Sequence, residues 1–279
     1  MNFGTIQVAN IFVGALNAIE AYFGTDKVWG KSEPATPNWL CFTAKEANST
    51  VGMEVASEAA PEVSLEYSTD GNTWSPFVVG TTTVELANIE DKMYVRATSA
   101  GNTGMGCYSR DYSRFIYNRF VMTGKISASG NVDTLLNKNG NATLTFACYY
   151  GLFEYCTSLT SAPELPATTL ADYCYNSMFK GCTSLTAAPT IKTYTSGLTD
   201  CFSQMLNMWN YSASKWGQLK QCNWSDLTLS EAESIVSTEG IFGPMGEDGV
   251  IINITCKDGS ATTHHVFDQQ GRGSWVFER

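Results

Sequence analysis

His264 and His265 are the only histidines in this chain. Imidazole is the side chain most ready for acid–base work near neutral pH. The residues around the pair alternate like a strand, and neighbours in a strand face opposite sides of a sheet. The two rings therefore cannot serve one site. The nine cysteines are the second chemical resource. Their C-x7-C spacing at Cys148/Cys156 and Cys174/Cys182 does not match a zinc site, which uses C-x2-C or C-x4-C with histidine partners. Asp70-Gly71-Asn72 lacks the remaining ligand positions of a calcium loop and reads as a turn. No G-x-S-x-G, H-E-x-x-H or glycine-rich phosphate loop occurs. Paired carboxylates of the kind that cleave glycosides could meet in space, but no order of residues points to such a pair. The expectation is a protein that is not an enzyme, with no catalytic residues, no cofactor and no metal. Aromatic residues make up 12% of the chain and include seven tryptophans. The dense group Trp209, Tyr211, Trp216 and Trp224 is a candidate binding surface, since aromatic rings dominate interfaces and stack on sugars.

The cysteines belong to a larger pattern. CYYGLFEYCTSLTSAPELPATTLADY runs from Cys148 to Tyr173, and CYNSMFKGCTSLTAAPTIKTYTSGLTD from Cys174 to Asp200. A third copy opens at Cys201 with CFSQML and then loses the pattern. Self-similarity at such a period marks units that bury their apolar faces by stacking. Leu170, Cys174 and Met178 are four apart, which predicts one face of a short helix ending near Gly181. Cys182-Thr-Ser-Leu185 then predicts a brief extended stretch with Leu185 inward, and Pro189 ends it. A helix followed by C-x-x-L is the layout of a leucine-rich repeat. Cys156 and Cys182 would stack in one ladder and Cys148, Cys174 and Cys201 in another, as reduced thiols, with Leu159 and Leu185 filling the core. An odd number of cysteines cannot all pair within one chain.

These residues carry a resemblance. MFKGCTSLTAAP, preceded by LPATTLADYCYNS, resembles the BspA-type leucine-rich repeats of Bacteroidales surface proteins and of phages that infect those bacteria. SLEYSTDGNTWSPF through TGKISASGNVDTLL resembles the β-domain that often precedes such repeats. IFVGALNAIEAYFGTDKVW resembles a segment common at the start of phage tail and fibre proteins. The last third of the chain departs from these patterns. The resemblance implies a phage virion component, a fibre or a tail or head appendage.

The elements that would hold these residues follow from composition and punctuation. The expected class is mixed α+β over four regions. Residues 1–36 form an N-terminal β segment and linker, with Ile11–Gly14 and Ala21–Gly24 as strands ending in glycine. Its apolar residues are too few for a core of their own. Phe12, Gly14, Tyr22, Gly24, Val28 and Trp29 are the expected docking residues toward other virion proteins. Residues 37–123 alternate in short strands, among them Ser64–Ser68, Val84–Leu86 and Met93–Ala97, with Asp70-Gly71 as a hairpin turn. They predict a β-sandwich. Residues 124–205 are the leucine-rich-repeat block. Residues 206–279 are an α+β hairpin region: Thr228-x-x-Glu231 is a capping box, Gly249–Cys256 and Thr262–Phe267 a hairpin, and Trp275–Phe277 a third strand.

Charge and hydropathy exclude other classes. A net charge of −10 with 17 unclustered Lys and Arg residues argues against nucleic acid. The stretch Ile6–Phe23 is interrupted by Asn10, Asn17 and Glu20 and is too polar to span a bilayer. No Lys or Arg precedes Lys27, so the positive start of a secretory signal is missing. These features favour a virion protein assembled in a host cytoplasm over the alternative, an exported bacterial surface adhesin. A homo-oligomer and a host-surface glycan are further expected partners.

Overall fold

A computed structural model describes residues 38–279, apart from Glu58, Ala100, Arg110, Tyr112 and Asn141, and the backbone of Glu20–Phe23 and Asp26–Gly30. The chain divides into two compact units, Met1–Asn38 and Trp39–Arg279. In the first, β1 (Glu20–Phe23) pairs antiparallel with β2 (Asp26–Gly30), with a register shift between Ala21 and Tyr22. Ile11–Gly14 and Gly24 lie outside the described residues. So do the side chains of the expected docking set, Phe12, Tyr22, Val28 and Trp29.

The second unit is mostly β. Its strands are β3 (Leu40–Ala44), β4 (Ser49–Val55), β5 (Leu65–Ser68), β6 (Ser75–Phe77), β7 (Thr83–Leu86), β8 (Lys92–Ala97), β9 (Gly106–Tyr108), β10 (Phe115–Thr123), β11 (Ile126–Ser129) and β12 (Leu159–Ser161). After the repeats come β13 (Trp209–Asn210), β14 (Lys215–Trp216), β15 (Gln221–Trp224), α1 (Leu229–Ser237), β16 (Ile251–Cys256), β17 (Gly259–Phe267) and β18 (Gly273–Glu278). One sheet runs β7-β4-β10-β9 and another β12-β11-β3-β8-β5-β6. Alternation decides which side chains turn inward: Met93, Val95 and Ala97 are buried between half-buried Tyr94 and Arg96. The inner faces meet at Phe42 of β3 and Phe120 of β10, whose rings are 4.8 Å apart. The Asp70 carboxylate caps its own hairpin turn by accepting the Asn72 and Thr73 amides at 2.8 and 2.7 Å. Those bonds hold its pKa well below the usual carboxylate range.

The repeat does not form the expected helix. Residues 146–155 and 172–181 are runs of turns. Within each run, every second amide bonds three residues back, as Tyr150 to the Ala147 carbonyl and Asn176 to that of Tyr173. The amides between them leave the run altogether. Ala147, Tyr149, Gly151, Phe153 and Tyr155 donate to Asp172, Cys174, Asn176, Met178 and Lys180 at 2.7–3.0 Å. Tyr173, Tyr175, Ser177, Phe179 and Gly181 donate in turn to Thr199, Cys201, Ser203, Met205 and Asn207 at 2.8–3.1 Å. A helix would keep all these amides for itself. Here half of them join one coil to the next, and stacking buries the apolar side chains that a lone helix would leave wet. The geometry needs a left-handed residue every fourth position: Ala147, Gly151 and Tyr155, then Tyr173, Ser177 and Gly181, then Asp200 and Gln204, with φ between 48° and 75°. Four-residue spacing thus belongs to this ladder as much as to a helix.

Identical positions in successive coils stack. Phe120, Phe153 and Phe179 form one column with centroids 5.1 and 5.2 Å apart; Tyr149, Tyr175 and Phe202 form another at 5.9 and 5.8 Å. Each such ring contributes about 1.5–3 kcal/mol by burial and roughly 0.5–1.5 more through its stacked partner. Cys148, Cys156, Cys174, Cys182, Cys201, Leu159 and Leu185 are all buried, and every cysteine of the chain is unbridged. Cys156 and Cys182 donate their thiols to the Phe120 and Phe153 carbonyls, 3.1 and 3.0 Å away in the preceding layer. The Cys174 and Cys201 thiols touch at 3.2 Å.

The stack continues at both ends. Met105 and Phe120 donate to Cys148 and Leu152, so β10 and its neighbours open the ladder. The third coil reaches Asn207, beyond the loss of sequence similarity, and Gln204 and Leu206 donate to Gly240 and Ile241 after α1. The opposite wall runs from β11 and β12 through a parallel bridge at Ala187 and Gln221 into the sheet β15-β16-β17-β18. α1 starts at the Thr228–Glu231 capping box, and both halves of that box are formed. One continuous apolar core extends from Leu40 to Cys256.

Candidate functional site

The four aromatic residues expected at a surface are split by the fold. Trp224 and Trp216 are 0% and 4% exposed and belong to the core. Trp224 alternates inward along β15 with Cys222, and Trp216 packs on Trp275 at 4.8 Å. Trp209 is half-buried opposite Trp216 in the β13–β14 hairpin. Tyr211 alone projects into solvent. They do not form one platform.

A different aromatic group does. Tyr108 and Phe115 are cross-strand partners in β9 and β10, stacked at 4.4 Å. Tyr150 of the first coil stacks on Phe115 at 4.1 Å with planes 10° apart. Phe146 lies 4.9 Å from Tyr108 and 5.3 Å from Tyr173, which comes from the second coil. Tyr173 closes the group against Phe115 at 5.0 Å. Phe146 is exposed and the others are half-buried. The ladder explains the assembly. Outward positions of one layer sit beside those of the next, so residues distant in sequence come within ring contact.

Polar groups border the rings. The Tyr117 hydroxyl donates to the buried Glu154 carboxylate, which also lies 3.6 Å from Lys180 and 3.9 Å from Arg119. Arg119 pairs more closely with Glu54, at 2.7 Å. Burial first, then the Glu154 hydrogen bond and charge, push the Tyr117 phenol well up. Burial, the Tyr108 hydroxyl and the carboxylates Asp200 and Asp172 raise that of Tyr173. The Asp172 carboxylate is held by the Thr199 amide at 2.8 Å. A polar cleft of about 500 Å3, lined by Thr98, Asn102, Thr103, Lys138, Asn139 and Thr145 among others, adjoins Phe146 through Thr145.

A second aromatic group lies at the six-stranded sheet, where Trp39 and Trp74 flank Arg96 and Tyr94 stands 6.2 Å from Trp39. The guanidinium sits 3.5 Å from the Trp74 ring centre and 4.7 Å from that of Trp39, and pairs with Glu66 at 2.7 Å. Arg96 already occupies these ring faces, which leaves them less able to take a ligand.

The histidines part as strand neighbours must. His264 faces Glu278 at 3.8 Å, and His265 is fully buried. Burial lowers the His265 pKa, only partly opposed by the Pro244 carbonyl and Asp248. Among the described residues, no group of three or more His, Cys, Asp or Glu side chains is arranged to hold a metal. None of the described helices is long and apolar enough to cross a membrane.

Sequence reading missed Tyr108, Phe115, Phe146, Tyr150 and Tyr173 as a group. The available signal was the contrast between copies: Phe146, Tyr150 and Tyr155 correspond to Asp172, Asn176 and Gly181. Aromatic residues at outward positions of one copy are not explained by the shared core. No family model matches the chain, and no curated protein or solved structure shows significant similarity to it.

Proposed function

We propose that this chain is a structural component of a phage virion, a fibre or a tail or head appendage, assembled in the host cytoplasm. It docks onto another virion protein through residues 1–36 and presents the remainder for attachment to the host surface, binding without cleaving. The observation that carries this reading is the division of the chain. Met1–Asn38 forms one unit, whose described part is the β1–β2 hairpin, and Trp39–Arg279 forms another with a single stacked core. An isolated hairpin of this size is marginal in water, so it gains stability from a partner. The second unit needs no such help. In finer terms it is a β-sandwich continued by BspA-type leucine-rich repeats and closed by an α+β hairpin region, which makes the class mixed α+β. The repeat resemblance supports the same assignment.

Peptide mass spectrometry of purified particles tests it. The chain is expected in the particle, and a version lacking residues 1–31 is expected to fold but to be left out. Normal incorporation of the shortened chain removes the docking role. Recovery only on the bacterial surface replaces the virion reading with that of an exported adhesin.

A further inference from the structure

We propose that the aromatic face built by Tyr108, Phe115, Phe146, Tyr150 and Tyr173 is a binding platform for neutral, hexose-based glycans. The inference deepens the attachment reading above and rests on it for the source of the glycan. A pyranose ring presents a C–H face that stacks on aromatic rings and a rim of hydroxyls that needs donors and acceptors. The face supplies both. Exposed Phe146, tilted against Tyr108 and Tyr173, offers the ring, and the tyrosines bring hydroxyl groups into the same patch. Phe115 is stacked on Tyr108 and Tyr150 at 4.4 and 4.1 Å, so the arrangement is set before a ligand arrives. Little side-chain freedom remains to be lost on binding.

Charge selects the class of glycan. Asp172 directly precedes Tyr173, and Asp200 directly follows Thr199, whose carbonyl accepts the Tyr173 amide at 2.9 Å. The neighbouring cations Arg119 and Lys180 are engaged by Glu54 and Glu154. The chain as a whole carries −10. An acidic polysaccharide would meet these carboxylates without Arg119 or Lys180 free to offset them, and an anionic bilayer would be repelled likewise. A neutral sugar chain finds acceptors there instead. The patch is an open face, which suits internal segments of a polymer and weak single contacts multiplied by copy number.

The test uses the full chain in native gels cast with dextran, laminarin or yeast mannan, against alginate and dextran sulfate as acidic probes. At least one neutral polysaccharide should retard the wild type. Phe146→Ala and Tyr173→Asn should each weaken retardation about fivefold to tenfold, the loss of one ring contact. Asn accepts the left-handed backbone at position 173, where φ is 58°. Tyr211→Ala, on the separate hairpin, should behave as wild type. Melting curves check that each variant is folded; if Phe146→Ala is not, Tyr173→Asn decides. Retardation by acidic probes alone, by none of the neutral ones, or lost only in Tyr211→Ala overturns the proposal. So does self-association that disappears in Phe146→Ala, which would assign the face to a second copy of the chain. Particle incorporation of Phe146→Ala separates the two readings. Absence of every form from particles sinks the virion assignment and leaves the glycan result standing, whereas normal incorporation without glycan binding sinks only the platform.

Discussion

Asp133 shows how one buried carboxyl shapes the molecule. It is 2% exposed and accepts the Tyr149 hydroxyl at 2.9 Å and the Ala142 amide. Burial raises its pKa from 3.8 to about 6, against the opposing Tyr149 bond. The folded state therefore holds this proton more tightly than the unfolded chain does. The resulting stability is fully present below the unfolded value and is lost as pH rises through about 6. At neutral pH the buried charge costs on the order of 2–3 kcal/mol. Asp133→Asn keeps an acceptor for Tyr149, so it is expected to be more stable than wild type at pH 7. It should also show a flatter urea-midpoint profile between about pH 4 and 7. Parallel profiles for the two proteins would exclude this account. The thiols offer a second test at this scale. Cys107 is half-buried, whereas the remaining cysteines are buried, and burial pushes the Cys156 thiol up to about 12. A thiol reagent should label Cys107 first in native protein and reach the ladder cysteines only on unfolding. Disulfides among Cys148, Cys156, Cys174, Cys182 and Cys201 without reductant would contradict the stacked core.

At the scale of the element, the coils depend on positions that a Cβ would spoil. Gly181 has φ +75°, and a Cβ there would stand 2.4 Å from the Tyr155 ring of the preceding coil. Gly151 is in the same relation to Tyr117, also at 2.4 Å. Each glycine thus makes room for an aromatic ring one layer earlier, which is how the outer rings stay close to the ladder. Gly181→Ala is expected to cost about 1–3 kcal/mol in urea denaturation, from the backbone and the clash together. In a Tyr155→Ala background the clash disappears, so the cost should fall by at least about 0.5 kcal/mol. An unchanged cost would mean that the backbone conformation alone sets it.

At the scale of the whole molecule, the β-sheets and the coils share one core. Amides of Met105 and Phe120 enter the first coil, and those of Gln204 and Leu206 leave the third for Gly240 and Ile241. No layer in this run can open without exposing its neighbours. Calorimetry of the chain lacking residues 1–31 should therefore give one cooperative transition, with equal van't Hoff and calorimetric enthalpies. Two separated transitions would divide the sheets from the coils. A chain ending at Met205 removes the closing layer and bares Phe179, Phe202 and Cys201. It is expected to aggregate rather than fold.

The sequence by itself determined the local pieces. The Thr228–Glu231 box, the Asp70-Gly71 turn, the three C-terminal strands and the repeat period all depend on near neighbours. For such pieces, residue type and spacing are the cause of the structure. It also determined that the ladder cysteines and Leu159 and Leu185 share equivalent positions. What only the tertiary structure decided is where backbone amides and outward rings go. The spacing of Leu170, Cys174 and Met178 fits a helix and a turn ladder equally; the neighbouring coil breaks the tie by taking alternate amides. The same holds for the aromatics. Trp216 and Trp224 look like surface residues until the strands that bury them are in place. Tyr108, Phe115, Phe146, Tyr150 and Tyr173 look unrelated until stacking sets successive layers side by side. A surface made from several layers is a property of their register, and no single stretch of sequence contains it.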